Sequence, residues 1–82
     1  MRVRMRFVYP GLLDIIPNGI YDFPDGSTVA DCVEQCSKQC EAPLNDGWVE
    51  KVLFLNDNKP VLKDDIPVDG SELIVVHRIM GG

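Results

Sequence analysis

The sequence ends in two glycines, Gly81 and Gly82, which follow an apolar run at residues 73–76 that is typical of a strand. Because glycine has no Cβ, such an end can lie extended in a narrow slot of another protein. Its α-carboxylate is ionised at neutral pH and is a competent, if weak, nucleophile towards an activated phosphorus centre such as the α-phosphate of ATP. The sequence therefore predicts that the Gly82 carboxylate is a substrate. The alternative is a frayed end without a role.

Three cysteines, Cys32, Cys36 and Cys40, recur every fourth residue in a segment with helical periodicity. In a helix the outer two lie about 12 Å apart along the axis, so the three sulfurs cannot converge on one metal ion. A Cys32–Cys40 bridge would exceed the Cα separation of about 7 Å that a disulfide tolerates, and adjacent pairs have near-parallel Cβ directions. We expect no metal site, with Cys32 and Cys36 in the core and Cys40 at its edge, where it could react. An odd number of cysteines without a framework spacing fits a reducing compartment.

A single histidine, His77, lies near the end of the last predicted strand. It could steer the chain end or transfer a proton, but a lone histidine at a strand end is more often a contact at the rim of an interface. We therefore assign His77 to partner binding, together with Arg78, Ile79 and Met80, which would set how the chain end lies in a partner's channel.

Length and composition limit the class of protein. The 82 residues are enough for one small domain, and 45% hydrophobic with 26% charged residues argue against disorder. The longest apolar run is too short to span a bilayer and residues 1–6 lack the apolar core of a signal peptide, so we expect a cytoplasmic protein. The net charge of −5 disfavours nucleic acid and anionic membranes as partners and favours a protein with a basic docking surface.

The first residues alternate with the period of a strand that is half exposed to water. One face carries Val3, Met5, Phe7 and Tyr9, and the other carries three arginines and Val8. Three arginines in an acidic protein usually form a solvated face, although they could contact an acidic partner. A second strand at residues 20–23 is expected to pair with the first.

A helix is predicted to begin at Thr28. Thr28 lies three residues before Asp31, which is the spacing of a capping box with Asp in place of the usual Glu or Gln. Apolar residues then recur at helical spacing as far as Cys40. Pro43 and the turn residues 45–47 are expected to end the helix.

From Trp48 the pattern predicts strands again. We expect Val49, Leu53 and Leu55 to face the helix, with Lys51 on the same side. A turn at residues 56–58 leads to a short edge strand at residues 60–62, a loop follows at residues 63–67, and the final strand runs from about residue 72 to residue 78.

The parity of the last strand predicts a docking surface. If residues 73 and 75 point into the core, Ile74 and Val76 point outward beside Val8, Val52 and Phe54 and form an apolar patch next to the chain end. Monomeric proteins seldom keep such a patch without a use, so we assign Phe54, Ile74 and Val76 to partner binding. The alternative is that Ile74 and Val76 pack against a loop.

Two strands, a helix and two or three further strands describe an α+β domain with one helix on one face of a mixed, four- to five-stranded sheet. In this order, and with its Gly-Gly end, the chain resembles the β-grasp fold of ubiquitin and of the MoaD/ThiS-type sulfur carriers over essentially its whole length. The resemblance rests on residues 25–31, 53–56, 69–73 and 81–82. It implies one β-grasp domain over residues 1–82, with a flexible tail from about residue 79.

The resemblance implies a reaction at Gly82. An ATP-dependent, E1-like enzyme would adenylate its carboxylate, and sulfur from a cysteine desulfurase or rhodanese-type donor would displace AMP to leave a thiocarboxylate. Gly81 and Gly82 would then be the reactive end of a carrier that binds no cofactor itself and is not an enzyme. The implied acceptor is the large subunit of molybdopterin synthase or a thiazole synthase.

Among sulfur pathways, the length and the long helix are closest to the small subunit of molybdopterin synthase. However, residues 9–13 depart from the Phe-Ala-Arg-like motif that is common after the first strand of that subunit, and residues 77–80 lack its Pro-Pro-Val. Carriers for thiamine, cysteine or tRNA thiolation therefore remain alternatives. A protein modifier that forms isopeptide bonds and a plain interaction domain are two further alternatives.

Overall fold

The computed structural model describes residues 1–8 and 16–78. Predictions that concern Tyr9, Ile79, Met80, Gly81 and Gly82 lie outside the described residues. In chain order the elements are β1 (Arg2–Val8), β2 (Gly19–Asp22), α1 (Val29–Gln39), a 3₁₀ helix (Trp48–Lys51), β3 (Val52–Asn56), β4 (Lys59–Val61) and β5 (Glu72–His77).

Within the described residues, the five strands form one mixed sheet in the order β2-β1-β5-β3-β4. β5 is the central strand, parallel to β1 on one side and antiparallel to β3 on the other. The predicted pairing of β1 with β2 and the predicted short edge strand β4 are both present. In residues 1–8 and 16–78, one α-helix packs on this mixed sheet, which confirms the α+β prediction.

The hydrophobic core lies between α1 and one face of the sheet. On β1 the predicted alternation is confirmed, because Val3 and Met5 are fully buried whereas the arginines between them are exposed. Residues from α1 and the central strands complete this core: Val29, Cys32, Val33, Cys36, Phe54, Leu73 and Val75.

Helix α1 begins as its sequence predicts. The Thr28 hydroxyl accepts a hydrogen bond from the Asp31 N–H at 3.1 Å, and the Asp31 carboxylate accepts one from the Thr28 N–H at 3.1 Å. This reciprocal capping box satisfies N–H groups that the first turn of a helix leaves without partners. No helix in residues 1–8 and 16–78 is both long enough and apolar enough to cross a membrane.

A buried polar network holds the segment that leads into β5. The Asn56 side-chain amide donates to the Ser71 hydroxyl at 2.7 Å and to the Glu72 carbonyl at 3.0 Å, and its oxygen accepts from the Val68 N–H at 3.1 Å. Asn56 is buried, so these bonds replace the water that its amide has lost. Asn56 therefore fixes the end of β3 against the start of the central strand.

The prediction of a strand from Trp48 is wrong. Residues Trp48–Lys51 form a 3₁₀ helix after Gly47, whose φ of 74° lies in the left-handed region that favours glycine. The Trp48 ring packs edge-on against Phe54, with centroids 6.2 Å apart. The strand begins only at Val52.

The predicted parity of β3 is therefore also wrong. Val52 and Phe54, which were expected on the outer face, are each 5% exposed and lie in the core, whereas Leu53 is 50% exposed. A two-residue alternation continued from Val49 gives the wrong faces, because a 3₁₀ helix has about three residues per turn and does not preserve the alternation of a strand.

Candidate functional site

The candidate site lies on the face of the sheet opposite α1, where β5 ends. Backbone register places Val76 between Val8 of β1 and Leu53 of β3. One row further from the end of β5, Ile74 lies between Arg6 and Leu55. We call the five apolar members of these two rows the apolar patch: Val8, Leu53, Leu55, Ile74 and Val76.

Exposure differs across the apolar patch. Val8 is 46% exposed and Leu53 is 50% exposed, while Leu55 and Val76 are half-buried. Ile74 is 8% exposed, because a side chain on the central strand has neighbours on both sides. Ile74 thus forms the floor of the apolar patch and contributes little of its surface.

Phe54 does not belong to this surface. It points into the core, so its assignment to partner binding is corrected, and the neighbours predicted for Ile74 and Val76 change from Val52 and Phe54 to Leu53 and Leu55. The sequence could not separate these alternatives, because Val52 and Phe54 are as apolar as Leu53 and Leu55. A polar residue at one of positions 52–55 would have indicated which face of the strand is exposed to water.

The chain leaves the sheet at the edge of the apolar patch. β5 ends at His77, and the N–H of Arg78 donates to the Lys51 carbonyl at 2.7 Å, which fixes the chain direction one residue beyond the strand. Arg78 itself is exposed. The predicted roles of residues 79–82 lie outside the described residues and stay predictions.

Two depressions flank this exit. The depression on the side of the apolar patch, of about 520 Å³, is lined by residues that include Leu53, Leu55 and Leu62, and it extends to Arg78. The other depression, of about 440 Å³, is lined by Gly47 and by charged or polar residues that include His77 and Arg78. Alternation along β5 puts His77 on the side of α1, so His77 and the apolar patch lie on opposite faces of the sheet.

The cysteines do not form a second centre. All three thiols are free, and Cys32 and Cys36 are buried as predicted. Burial raises the pKa of each of these two thiols to about 12, so both stay protonated at neutral pH. Cys40 is half-buried and lies 3.8 Å from the Tyr21 hydroxyl, and its reactivity stays a prediction. In residues 1–8 and 16–78, no three His, Cys, Asp or Glu side chains are placed to hold a metal ion.

No family model matches the sequence, and no curated protein matches it. Solved structures do match. SAMP1 from Haloferax volcanii is similar over 100% of both chains, at 14% identity and a TM-score of 0.69. A second crystal structure, of H. volcanii small archaeal modifier protein 1, covers 95% of this chain and 98% of its own at 12% identity, also with a TM-score of 0.69.

A third similar structure comes from Pyrococcus furiosus and is a candidate molybdopterin converting factor, subunit 1. It covers 96% of this chain and 99% of its own, at 18% identity and a TM-score of 0.72. At such identities the likeness establishes the fold. The described architecture is thus a ubiquitin-like β-grasp fold, as the sequence predicted.

Proposed function

We propose that this chain, which has the ubiquitin-like β-grasp fold, is a sulfur carrier whose Gly82 carboxylate is activated by an ATP-dependent, E1-like enzyme. One observation carries the proposal. The central strand leads to the edge of an exposed apolar patch, and the Gly81-Gly82 pair lies three and four residues beyond Arg78. An enzyme that docks on the patch would therefore have the chain end within reach.

The proposed chemistry explains why activation must come first. A carboxylate resists nucleophilic attack, but its oxygen can attack the α-phosphorus of ATP and expel pyrophosphate, which leaves an acyl-adenylate. A persulfide sulfur then attacks the Gly82 carbonyl carbon and AMP departs. A thiol cleaves the resulting S–S bond and releases the C-terminal thiocarboxylate.

The activating enzyme and this chain would have different roles in the reaction. The activating enzyme would bind ATP and supply the catalytic groups, and the sulfur would come from a cysteine desulfurase or rhodanese-type donor. This chain would provide the carboxylate and the docking surface, where Val8, Leu53 and Val76 lose water when the enzyme covers them. It would act as a cosubstrate rather than as an enzyme.

For the acceptor, we favour molybdopterin formation. A thiocarboxylate is a soft nucleophile that can deliver sulfur inside the active site of a second partner, here the large subunit of molybdopterin synthase. The similarity to the candidate molybdopterin converting factor from P. furiosus supports this choice. A thiazole synthase is the alternative acceptor.

A protein modifier is the second candidate function. It is supported by the similarity to small archaeal modifier protein 1, which spans 95% of this chain. The same activated carboxylate would then form an isopeptide bond with a lysine of another protein instead of accepting sulfur.

Intact-mass measurement tests these functions. The chain is incubated with the E1-like enzyme of its own organism, ATP and a persulfide donor, with an ATP-free reaction as the control. Replacement of one oxygen by sulfur is the expected result. Ladders of conjugates on other proteins would favour the modifier, and an unchanged mass would contradict both functions.

A further inference from the structure

Arginines lie directly beside the apolar patch. Arg4 and Arg6 point from β1 towards the face of the sheet opposite α1, and both are exposed. Arg2, at the start of the same strand, pairs with Asp22 at 3.3 Å. In contrast, neither Arg4 nor Arg6 forms an ion pair with a carboxylate in the described part of the chain.

The parallel pairing of β1 with β5 determines where these charges stand. Arg6 is in register with Ile74, the floor of the apolar patch, and Arg4 is in register with Glu72 one row further away. A depression of about 320 Å³ is lined by both arginines, Asn18, Gly19 and Glu72. Any partner that covers the apolar patch as far as Ile74 must therefore also approach Arg6.

Helix α1, on the other side of the sheet, exposes two acidic side chains and one basic side chain, Lys38. Asp31 and Glu34 are exposed on α1, which covers the opposite face of the sheet. The net charge of −5 does not describe the surface beside the apolar patch, where Arg4 and Arg6 lie next to one carboxylate, that of Glu72. A guanidinium that loses water without gaining a counter-charge is strongly disfavoured, and a basic surface brought against it would repel it.

We propose that the protein that docks on the apolar patch presents carboxylates to Arg4 and Arg6, so that its docking surface is acidic beside an apolar centre. This inference rests on the proposed function, because the activating enzyme is taken as that protein. It reverses the expectation of a basic docking surface that the net charge alone suggested. Arginine suits this role because its guanidinium binds a carboxylate through two parallel hydrogen bonds.

Steady-state adenylation kinetics with charge-reversed variants test this inference. Arg4→Glu and Arg6→Glu are compared with wild type in ATP–pyrophosphate exchange catalysed by the E1-like enzyme of the same organism. Lys38→Glu is the matched control, because it makes the same change of charge at an exposed position on α1, on the other side of the molecule. Thermal midpoints of all three variants verify that the fold is retained.

Each arginine reversal is expected to raise the KM for this chain about tenfold while changing kcat little, since the docking contact is lost and the chemistry is not. Reversal of a facing carboxylate of the enzyme to lysine should restore the KM of the Arg6→Glu variant. Arginine variants that behave like Lys38→Glu, or that lower KM, would overturn the inference while leaving the proposed function intact. A wild-type chain that supports no exchange would overturn both.

Discussion

At the scale of single residues, Gly82 carries the proposed chemistry and Asn56 holds the strand that presents it. Their sequence signals differ in strength. A terminal Gly-Gly suggests a reactive end directly, because glycine is the residue that enters a narrow channel. Asn56, in contrast, was predicted only to belong to a turn. Its partners, residues 68, 71 and 72, lie far along the chain, so no local pattern could reveal the network.

Deletion of Gly82 should abolish activation and leave the fold intact. The carboxylate would then lie on Gly81, displaced by about 3.5 Å along the chain, and in-line attack does not tolerate such an offset. ATP–pyrophosphate exchange measures the loss, and an unchanged thermal midpoint is the control. A shortened chain that still acquired sulfur would refute the assignment of Gly82.

Replacement of Asn56 by alanine should lower the free energy of unfolding by about 2–4 kcal/mol. It leaves the Val68 N–H without this bond, whereas the Ser71 hydroxyl keeps its bond to the Val68 carbonyl and the Glu72 carbonyl keeps its bond from the Asp57 N–H. A group left unpaired costs about 1–3 kcal/mol, and each of the other two lost bonds costs about 0.5–1.5 kcal/mol. Urea unfolding measures this change. Asn45→Ala is the control, because Asn45 is exposed and its loss should change stability by about 0.5 kcal/mol at most. Equal losses in the two variants would contradict the role of the network.

At the scale of elements, the predictions succeeded where the signal was local. The capping box at Thr28 and Asp31 and the arginine–apolar alternation of β1 lie in adjacent residues, and both are confirmed. The predicted parity of β3 was wrong because both faces of this strand are apolar and a 3₁₀ helix precedes it. The proximity of the arginines to the apolar patch depends on the pairing of β1 with β5, two strands that lie at opposite ends of the sequence.

Alanine substitutions at neighbouring positions of β3 test its corrected parity. Phe54→Ala should lower the free energy of unfolding by about 3–5 kcal/mol, because it opens a cavity in the core. Leu53→Ala should cost about 1 kcal/mol or less, yet raise the KM for activation about tenfold through the loss of exposed apolar contact. Urea unfolding and exchange kinetics give the two values. A larger stability loss at Leu53 than at Phe54 would restore the original parity.

The buried thiols of α1 should make the protein less stable at alkaline pH. Folding raises the pKa of Cys32 and Cys36 from 9.0 to about 12 by burial. Below pH 9 both states hold these protons, so the contribution is complete. Between about pH 9 and 12 the unfolded thiols ionise while the folded thiols do not, and the free energy of unfolding falls as pH rises.

Urea unfolding at pH 8 and pH 10 measures this dependence. The control is Cys36→Ala, which lacks one of the two thiols and should lose less stability over the same pH range. A Cys36→Ala protein with the same pH dependence as wild type would show that the fall arises from other groups.

At the scale of the whole molecule, the hydrophobic core and the apolar patch lie on opposite faces of the sheet. The core between α1 and the sheet stabilises the fold, and the opposite face of the sheet carries the apolar patch with Arg4 and Arg6 beside it. The central strand, β5, ends at the edge of this patch. The proposed docking on the apolar patch would therefore leave the core undisturbed. Composition alone predicted the size and class of the domain, but it could not predict that Arg4 and Arg6 would lie beside the apolar patch.

The central claim is that the Gly82 carboxyl group is chemically converted by a partner enzyme. It is tested most directly by mass spectrometry of the C-terminal peptide after reaction with the activating enzyme, ATP and a persulfide donor. Trypsin cleaves after Arg78 and releases residues 79–82 as a separate peptide. The account predicts that this peptide carries sulfur in place of one carboxyl oxygen, and recovery of only the unmodified peptide after reaction with the enzyme, ATP and the persulfide donor would contradict it.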